Sequence, residues 1–310
     1  MTEFLQHLVN GLSVGTVYAL IALGYTMVYG VLKLINFAHG DVYMVGAFAG
    51  YYLGTTFGVD RAPSVAGAAA VTIGAMAICG ALGYVIERFA YRPLRHRARL
   101  TSLITAIGVS FLLEFGFQLP PLVRSPIEFP PGPSPRFFPA LLELGEPFDL
   151  LGATLPRIDA LGFVVALALM LGLQWIVYRT RFGTAMRAVS FDPTVAGLMG
   201  IPVNRIISWT FVLGSALAAA AGIINASSRP RIEPLFGLMS GLKAFVAAVL
   251  GGIGSVPGAM VGGLVLGLTE EYVAGYTSSQ YRDAIAFAVL ILVLLVRPEG
   301  LFGKGQVEKV

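Results

Sequence analysis

The chain has 310 residues, 56% of them hydrophobic and 12% charged, and a formal net charge of +4. Soluble domains carry about 25% charged residues, so a water-soluble globular fold is excluded and the composition is that of an integral membrane protein. The basic residues stand mainly at the ends of apolar segments, where they report topology; they do not build a nucleic-acid surface. The single cysteine, Cys79, sits inside an apolar segment, which excludes an internal disulfide framework and leaves it a packing role.

The N-terminus, MTEFLQHLVN, is acidic without a basic cluster and lacks the shape of a cleavable signal peptide. A first span is expected over about Leu12 to Leu32, with Gly11 and Gly15 placed for close helix approach. Lys33 ends it, and the polar interruption INFAHGD follows. A second span, Val42 to about Phe57, repeats glycine every four residues at Gly46, Gly50, Gly54 and Gly58. The third, Val65 to about Phe89, runs into Arg88, Arg92, Arg95, Arg97 and Arg99, a cluster that marks the cytoplasmic side. The fourth, Leu100 to Leu119, returns outward to a segment, residues 120–158, that holds ten of the chain's 18 prolines together with Phe129, Phe137, Phe138 and Phe148. That composition predicts an ordered external cap. A fifth span, Ala160 to Tyr178, comes back inside.

Residues 179–206 form a polar, turn-rich stretch with its own start and stop signals. Asp192 suits an N-cap, Pro193 the first helical position, Gly200 a left-handed C-terminal residue, and Pro202 blocks continuation. The result is a helix of about two turns, Pro193 to Met199, too short to be stable alone. Val195, Leu198 and Met199 share one apolar face, so the helix is expected to dock into another protein; an ordinary connecting loop is the plainer alternative.

A sixth span, Ile207 to Ala226, leads out again. Residues 236–275 centre on GGIGSVPG, and neither apolar half matches the ~20 residues of a comfortable span. Two short or broken helices meeting at Gly251, Gly252, Gly254, Pro257 and Gly258 are expected. The last span, Tyr281 to Val296, ends at Arg297, with Lys304 and Lys309 beyond, placing the C-terminus inside and, if every segment crosses, the N-terminus outside. The fold expected is an all-α integral membrane bundle of eight to ten transmembrane helices with broken or re-entrant segments, forming one domain over residues 1–310.

Catalytic motifs are missing from the sequence: there is no G-x-x-x-x-G-K-[ST], C-x-x-C, H-E-x-x-H or G-x-S-x-G. His7, His39 and His96 are too dispersed for a metal site. Pro257 and the lack of a preceding strand set GGIGSVPG apart from a dinucleotide loop. Polar residues at membrane depth carry more weight, because they are costly unless they face a protein interior or water. Asn36, His39, Asp41 and Lys243 are therefore candidate pathway residues, with interfacial placement or snorkelling as the alternative. Glu114 is read as interior without a nameable partner, and Glu270 and Glu271 as solvated near an outer helix end.

Taken together and in order, NFAHGDVYMVGAF, the coupling-type stretch, KAFVAAVLGGIGSVPGAMVGGLVLGLTE and the terminal RPEGLFG make the whole chain resemble the LivH-type permeases of branched-chain amino acid ABC transporters. The family pattern A-x-x-x-D-x-x-x-A-x-x-x-G-I falls on Ala188, Asp192, Ala196, Gly200 and Ile201, and Asp41 stands where many relatives have glutamate. The resemblance implies a permease subunit in a bacterial plasma (inner) membrane. It implies pairing with a LivM-type permease, two cytoplasmic ATPase subunits that bind ATP and magnesium, and a periplasmic or extracellular substrate-binding protein. No cofactor is expected in this chain. A related permease for urea or short amides shares nearly all these features; a free-standing channel or ion-coupled transporter would need no docking helix and more paired intramembrane charge.

Overall fold

The computed structural model describes residues 2–95, 97–123, 128–150 and 152–303. Among them are eleven α-helices, α1 (Thr2–Leu32), α2 (His39–Thr56), α3 (Val65–Val85), α4 (Arg99–Gln118), α5 (Arg157–Arg179), α6 (Arg181–Phe191), α7 (Pro193–Leu198), α8 (Val203–Ser228), α9 (Phe236–Gly251), α10 (Val256–Tyr276) and α11 (Arg282–Val296). Among the described residues six helical segments are long and apolar enough to cross a membrane: α1, α3 with the turns that continue it to Leu94, α4, α5, α8, and α11 with the 3-10 turn from Ser279 that precedes it. The protein is an all-α, multi-pass membrane protein.

The inner layer is α1, α2, α8, α9 and α10, and its closeness comes from small residues. A Cβ on Gly15 would lie 2.9 Å from the Cα of Leu264, and one on Gly263 would overlap the backbone of Ala19, so α1 and α10 run antiparallel with their main chains nearly touching. The four-residue glycine repeat of α2 does the same work in part. Gly46 meets Ala219 of α8, Gly50 meets Ile223, and Gly54 receives Pro139 and Leu141 from the long connection. Gly58, the last of the series, instead has φ +66° and ends the helix in a turn. From Val14 to Val28 helix α1 is almost wholly apolar and buried on every side, the mark of a central helix. Helices α4, α5 and α11 keep exposed apolar faces, as lipid-facing or partner-facing helices must.

Several boundaries depart from the sequence expectations. Helix α1 begins ten residues earlier than expected at Leu12, because Gln6 is held by Thr154, at 3.0 Å through its side-chain amide, and His7 fills the space beside Gly275. Helix α3 does not run straight to Phe89. Its ladder loosens into a π-helical turn over Ile86–Tyr91 and a 3-10 turn over Arg92–Leu94. The polar stretch after Arg179 was expected to hold one short helix and holds two, α6 being capped by Thr180, whose hydroxyl accepts from the Gly183 N–H. Helices α9 and α10 do meet at the glycine turn, but α10, with 21 residues, is no half-helix.

Within residues 120–158 the described part is ordered by short strands. The strand β1 (Arg136–Phe137) pairs antiparallel with β4 (Arg231–Ile232), and β2 (Phe148–Leu150) pairs with β3 (Ala153–Leu155). Phe138 and Leu141 plug the end of the bundle, and Phe129 packs edge-on to Tyr52 and Phe117.

Candidate functional site

Two features stand out: an exposed capped helix at the arginine-rich end, and a set of polar groups sealed inside the bundle.

The first is α7. The Asp192 carboxylate accepts from Thr194 N–H at 2.7 Å and from Val195 N–H at 3.0 Å, satisfying two donors that a helix start leaves open. Pro193 follows at the first helical position, and Gly200 closes the turn with φ +82°. The Ile201 N–H reaches the Ala196 carbonyl at 3.0 Å, and Pro202 leads directly into α8. Of the residues in the family pattern, Ala196 is buried, and Ala188 and Ile201 are half-buried against the core, so the small side chains let α7 lie close to the bundle. The apolar face points away from it: Leu198 is 83% exposed, Met199 78%, Val195 53% and the neighbouring Phe191 95%. Four large apolar side chains together on a polar end of a protein mark a contact surface.

This end is braced. The Glu87 carboxylate, fully buried, accepts from Arg92 at 3.2 Å, from Arg95, and from the Ser208 hydroxyl at 2.6 Å. Arg95 also donates to Asn204 at 2.7 Å. Burial draws the Arg95 pKa below its ordinary value, and the Glu87 charge opposes that shift. The cluster fastens the end of α3 to the start of α8, the helix that follows α7. From the other side, the Ser190 hydroxyl of α6 donates to the Gly30 carbonyl near the end of α1. Nothing in the spacing of Glu87 and Ser208, 121 residues apart, announces this pairing.

The second feature is built by the chain's return after α1. Lys33 takes a left-handed conformation, φ +55°, and the connection folds back so that α2 starts beside Gly24, about 12 Å short of the end of α1 at 1.5 Å per residue. Asn36, His39 and Asp41 are consequently buried within the protein and do not sit at an exposed interface beside Lys33. The Asn36 side-chain oxygen accepts from the Tyr91 hydroxyl at 2.9 Å. The His39 ring stands edge-on to Tyr25, 4.9 Å between centroids, in the space that glycine leaves at position 24, and its Nε2 has no partner. Asp41 accepts from Ser110 of α4, and Glu114, one turn further along α4, lies next to it. One oxygen of each carboxyl group, Asp41 Oδ1 and Glu114 Oε1, is buried without a partner. Asp41 and Ser110 open onto a cavity of about 240 Å³ between α1, α2, α4 and α9, whose other walls are Tyr25, Phe37, Leu103, Ile107, Phe111, Leu238 and Leu242.

Lys243 lies apart from this cavity. Its ammonium is 2.6 Å from Glu270 and 2.6 Å from Asp283, joining α9, α10 and α11. The expectation of a solvated Glu270 is therefore corrected: it is 2% exposed, with Lys243 as its counter-charge. Glu271 is mostly buried too and pairs with Arg282 at 2.9 Å. At the glycine turn, Gly252 (φ +98°) and Gly254 (φ +99°) adopt conformations closed to other residues. Gly251 and Gly258 bring α9 and α10 into backbone contact, and Pro257 opens α10 behind the Ser255 cap. Leu301 and Phe302 N–H groups donate to the carbonyls of Leu250 and Gly251 at 2.8 and 3.0 Å, which seals the turn with the chain's own C-terminal segment.

Comparison with known proteins places this architecture. Residues 7–294 match the family model described as branched-chain amino acid transport system, permease component. The chain is 46% identical over 311 aligned positions to the high-affinity branched-chain amino acid transport system permease protein BraD of Pseudomonas aeruginosa, covering 99% of this chain and 98% of that one. It is 43% identical to the LivH permease of Escherichia coli at the same coverage. Against a probable LivH permease of Methanocaldococcus jannaschii it is 27% identical over 92% of this chain and 88% of the relative. A match this long, at these identities, shows that the chain belongs to the branched-chain amino acid transport system permease family.

Proposed function

We propose that the chain is one permease subunit of an ABC importer that moves branched-chain amino acids into the cell. It pairs with a LivM-type permease and receives substrate from a binding protein on the outside. Two ATPase subunits on the inside hydrolyse ATP, and this chain hydrolyses nothing. Nine helices, α1 to α5 and α8 to α11, then lie within the bilayer, with the N-terminus outside and the arginine-rich end inside, as the charge bias requires. The observation that carries the reading is α7: a capped helix of two turns whose Leu198 and Met199 stand largely exposed, with Val195 half exposed beside them. Seated in an ATPase subunit, it would pass rigid-body motion into α8 through Gly200–Pro202, with the Glu87 cluster passing it on to α3.

The cavity beside Asp41 supports the substrate. Its leucine, isoleucine and phenylalanine walls suit an aliphatic side chain, and the Asp41 carboxylate with the Ser110 hydroxyl suits an ammonium group. A urea-sized amide would leave those apolar walls unused. Leu103, Ile107 and Phe111 of α4 are themselves exposed, so the cavity is open on the side where a second permease would close it.

The test is uptake of labelled leucine, against labelled urea, by vesicles holding this chain with its cognate subunits. Leu198→Asp and Gly200→Trp should abolish ATP-driven uptake and co-purification of the ATPase subunits. Both surviving intact would overturn the assignment of α7, and urea uptake in preference to leucine would overturn the substrate.

A further inference from the structure

A groove of about 710 Å³ runs between α3 and α8 at the arginine-rich end, with Tyr84, Arg88 and Arg92 on one wall and Arg205, Ser208 and Trp209 on the other. Its deeper part is apolar, floored by Gly80 and Val212. Its mouth is basic. The charge of Arg92 is already shared, since its guanidinium donates to Glu87 at 3.2 Å and to Ser208 at 2.9 Å. Arg88 and Arg205 are exposed and have no acidic partner among the described residues. Two uncompensated guanidinium groups therefore flank one opening. Tyr84 and Trp209, each about half exposed, stand where the apolar floor gives way to the charged mouth, the position amphipathic rings take at a membrane–water boundary.

We infer that this groove seats one anionic phospholipid of the inner leaflet, its phosphate on Arg88 and Arg205 and an acyl chain along Gly80 and Val212. Charge complementarity selects the headgroup, because a zwitterionic lipid brings no net charge to the two free guanidinium groups. The apolar floor selects a lipid over free phosphate, which would leave that floor wet. The occupant would bridge α3 and α8 at the point where Glu87 already ties them, and so stiffen the route from α7 into the bundle. The inference rests on the inward, membrane-level placement of this end.

Trp209 lies in the groove and Trp175 is the chain's other tryptophan, so a Trp175→Phe variant carries a single reporter at the site. The variant is reconstituted in phosphatidylcholine vesicles containing a minor fraction of brominated phosphatidylglycerol, or the same fraction of brominated phosphatidylcholine. Quenching of Trp209 by the anionic lipid should exceed quenching by the zwitterionic one by at least about fivefold, the effect of even one basic side chain at a membrane surface. Arg88→Gln with Arg205→Gln should bring the ratio close to one while thermal unfolding stays where it was. A ratio near one in the parent protein, or a high ratio that survives both substitutions, overturns the lipid seat. If the double variant keeps the ratio and loses ATPase co-purification, the two arginines contact protein and the inference fails. Brominated lipid is present in both leaflets, so these outcomes do not depend on which way the chain is inserted, and the orientation is judged separately by uptake.

Discussion

Lys243→Met offers the sharpest test of the energetics, because the structure says how much charge it strands. The Lys243 ammonium holds Glu270 and Asp283, each at 2.6 Å, yet the two carboxylates differ in what water can do for them. Asp283 is 52% exposed and rehydrates when the lysine is gone, so its share is about 0–1 kcal/mol. Glu270 is 2% exposed, and its other oxygen already lacks a partner. Removing one member of a buried pair costs about 3–5 kcal/mol. Arg282, with its Nε 3.8 Å from the same Glu270 oxygen, offsets part of the loss and points to the lower end, about 3 kcal/mol. At roughly 2 °C per kcal/mol for a long chain, the unfolding midpoint in detergent should fall by about 6 °C. Lys243→Met with Glu270→Leu removes the stranded charge and should recover most of that loss. The reasoning is refuted if the single substitution shifts the midpoint by less than about 2 °C, or if the double variant is no better than the single one. A Lys243→Met protein that is stable but transport-dead would return this lysine to the pathway.

Asp192→Ala should remove both cap hydrogen bonds of α7, cost about 1 kcal/mol locally and reduce ATPase co-purification, with Asp192→Ser restoring much of it; unchanged co-purification across the series would separate the cap from docking. Asp41→Asn keeps the size of the side chain and removes the acidic group beside the cavity, so leucine uptake should drop at least about tenfold, the effect of roughly 1.4 kcal/mol, with unfolding little changed. Undiminished uptake would take Asp41 off the route. Gly263→Leu should prevent assembly outright, because no side chain fits between α10 and the backbone of Ala19; expression of a monodisperse variant at normal yield would contradict the packing described.

What could be read from the sequence was whatever is written within a few residues. Asp192, Pro193, Gly200 and Pro202 specify α7 because capping chemistry acts over one turn; the structure has Asp192 at the N-cap and Gly200 left-handed, with the helix ending at Leu198, one residue short of the expected Met199. The glycine turn was legible for the same reason, since Gly252 and Gly254 need backbone angles that other residues avoid. Helix α6 was missed because its polar residues resemble a loop unless the Thr180 cap is noticed; that signal was present and went unused. The strands are two or three residues long, too short for any alternation to show. The pairings of Lys243 with Glu270, Glu87 with Ser208, and Asp41 with Ser110 join residues 27, 121 and 69 apart, and only the packed bundle brings them together. Polar residues inside an apolar sequence announced that partners must exist, without naming them.

The antiparallel seam between α1 and α10 sets an order of events during synthesis. Helix α1 is finished by Leu32, and the helix that covers its bare glycine edge does not begin until Val256. While the intervening helices are made, the future centre of the protein waits in the lipid with that edge open. A nascent chain halted before α10 would carry every earlier helix and still have a gap along its middle, which makes the unfinished product a natural target for membrane quality control.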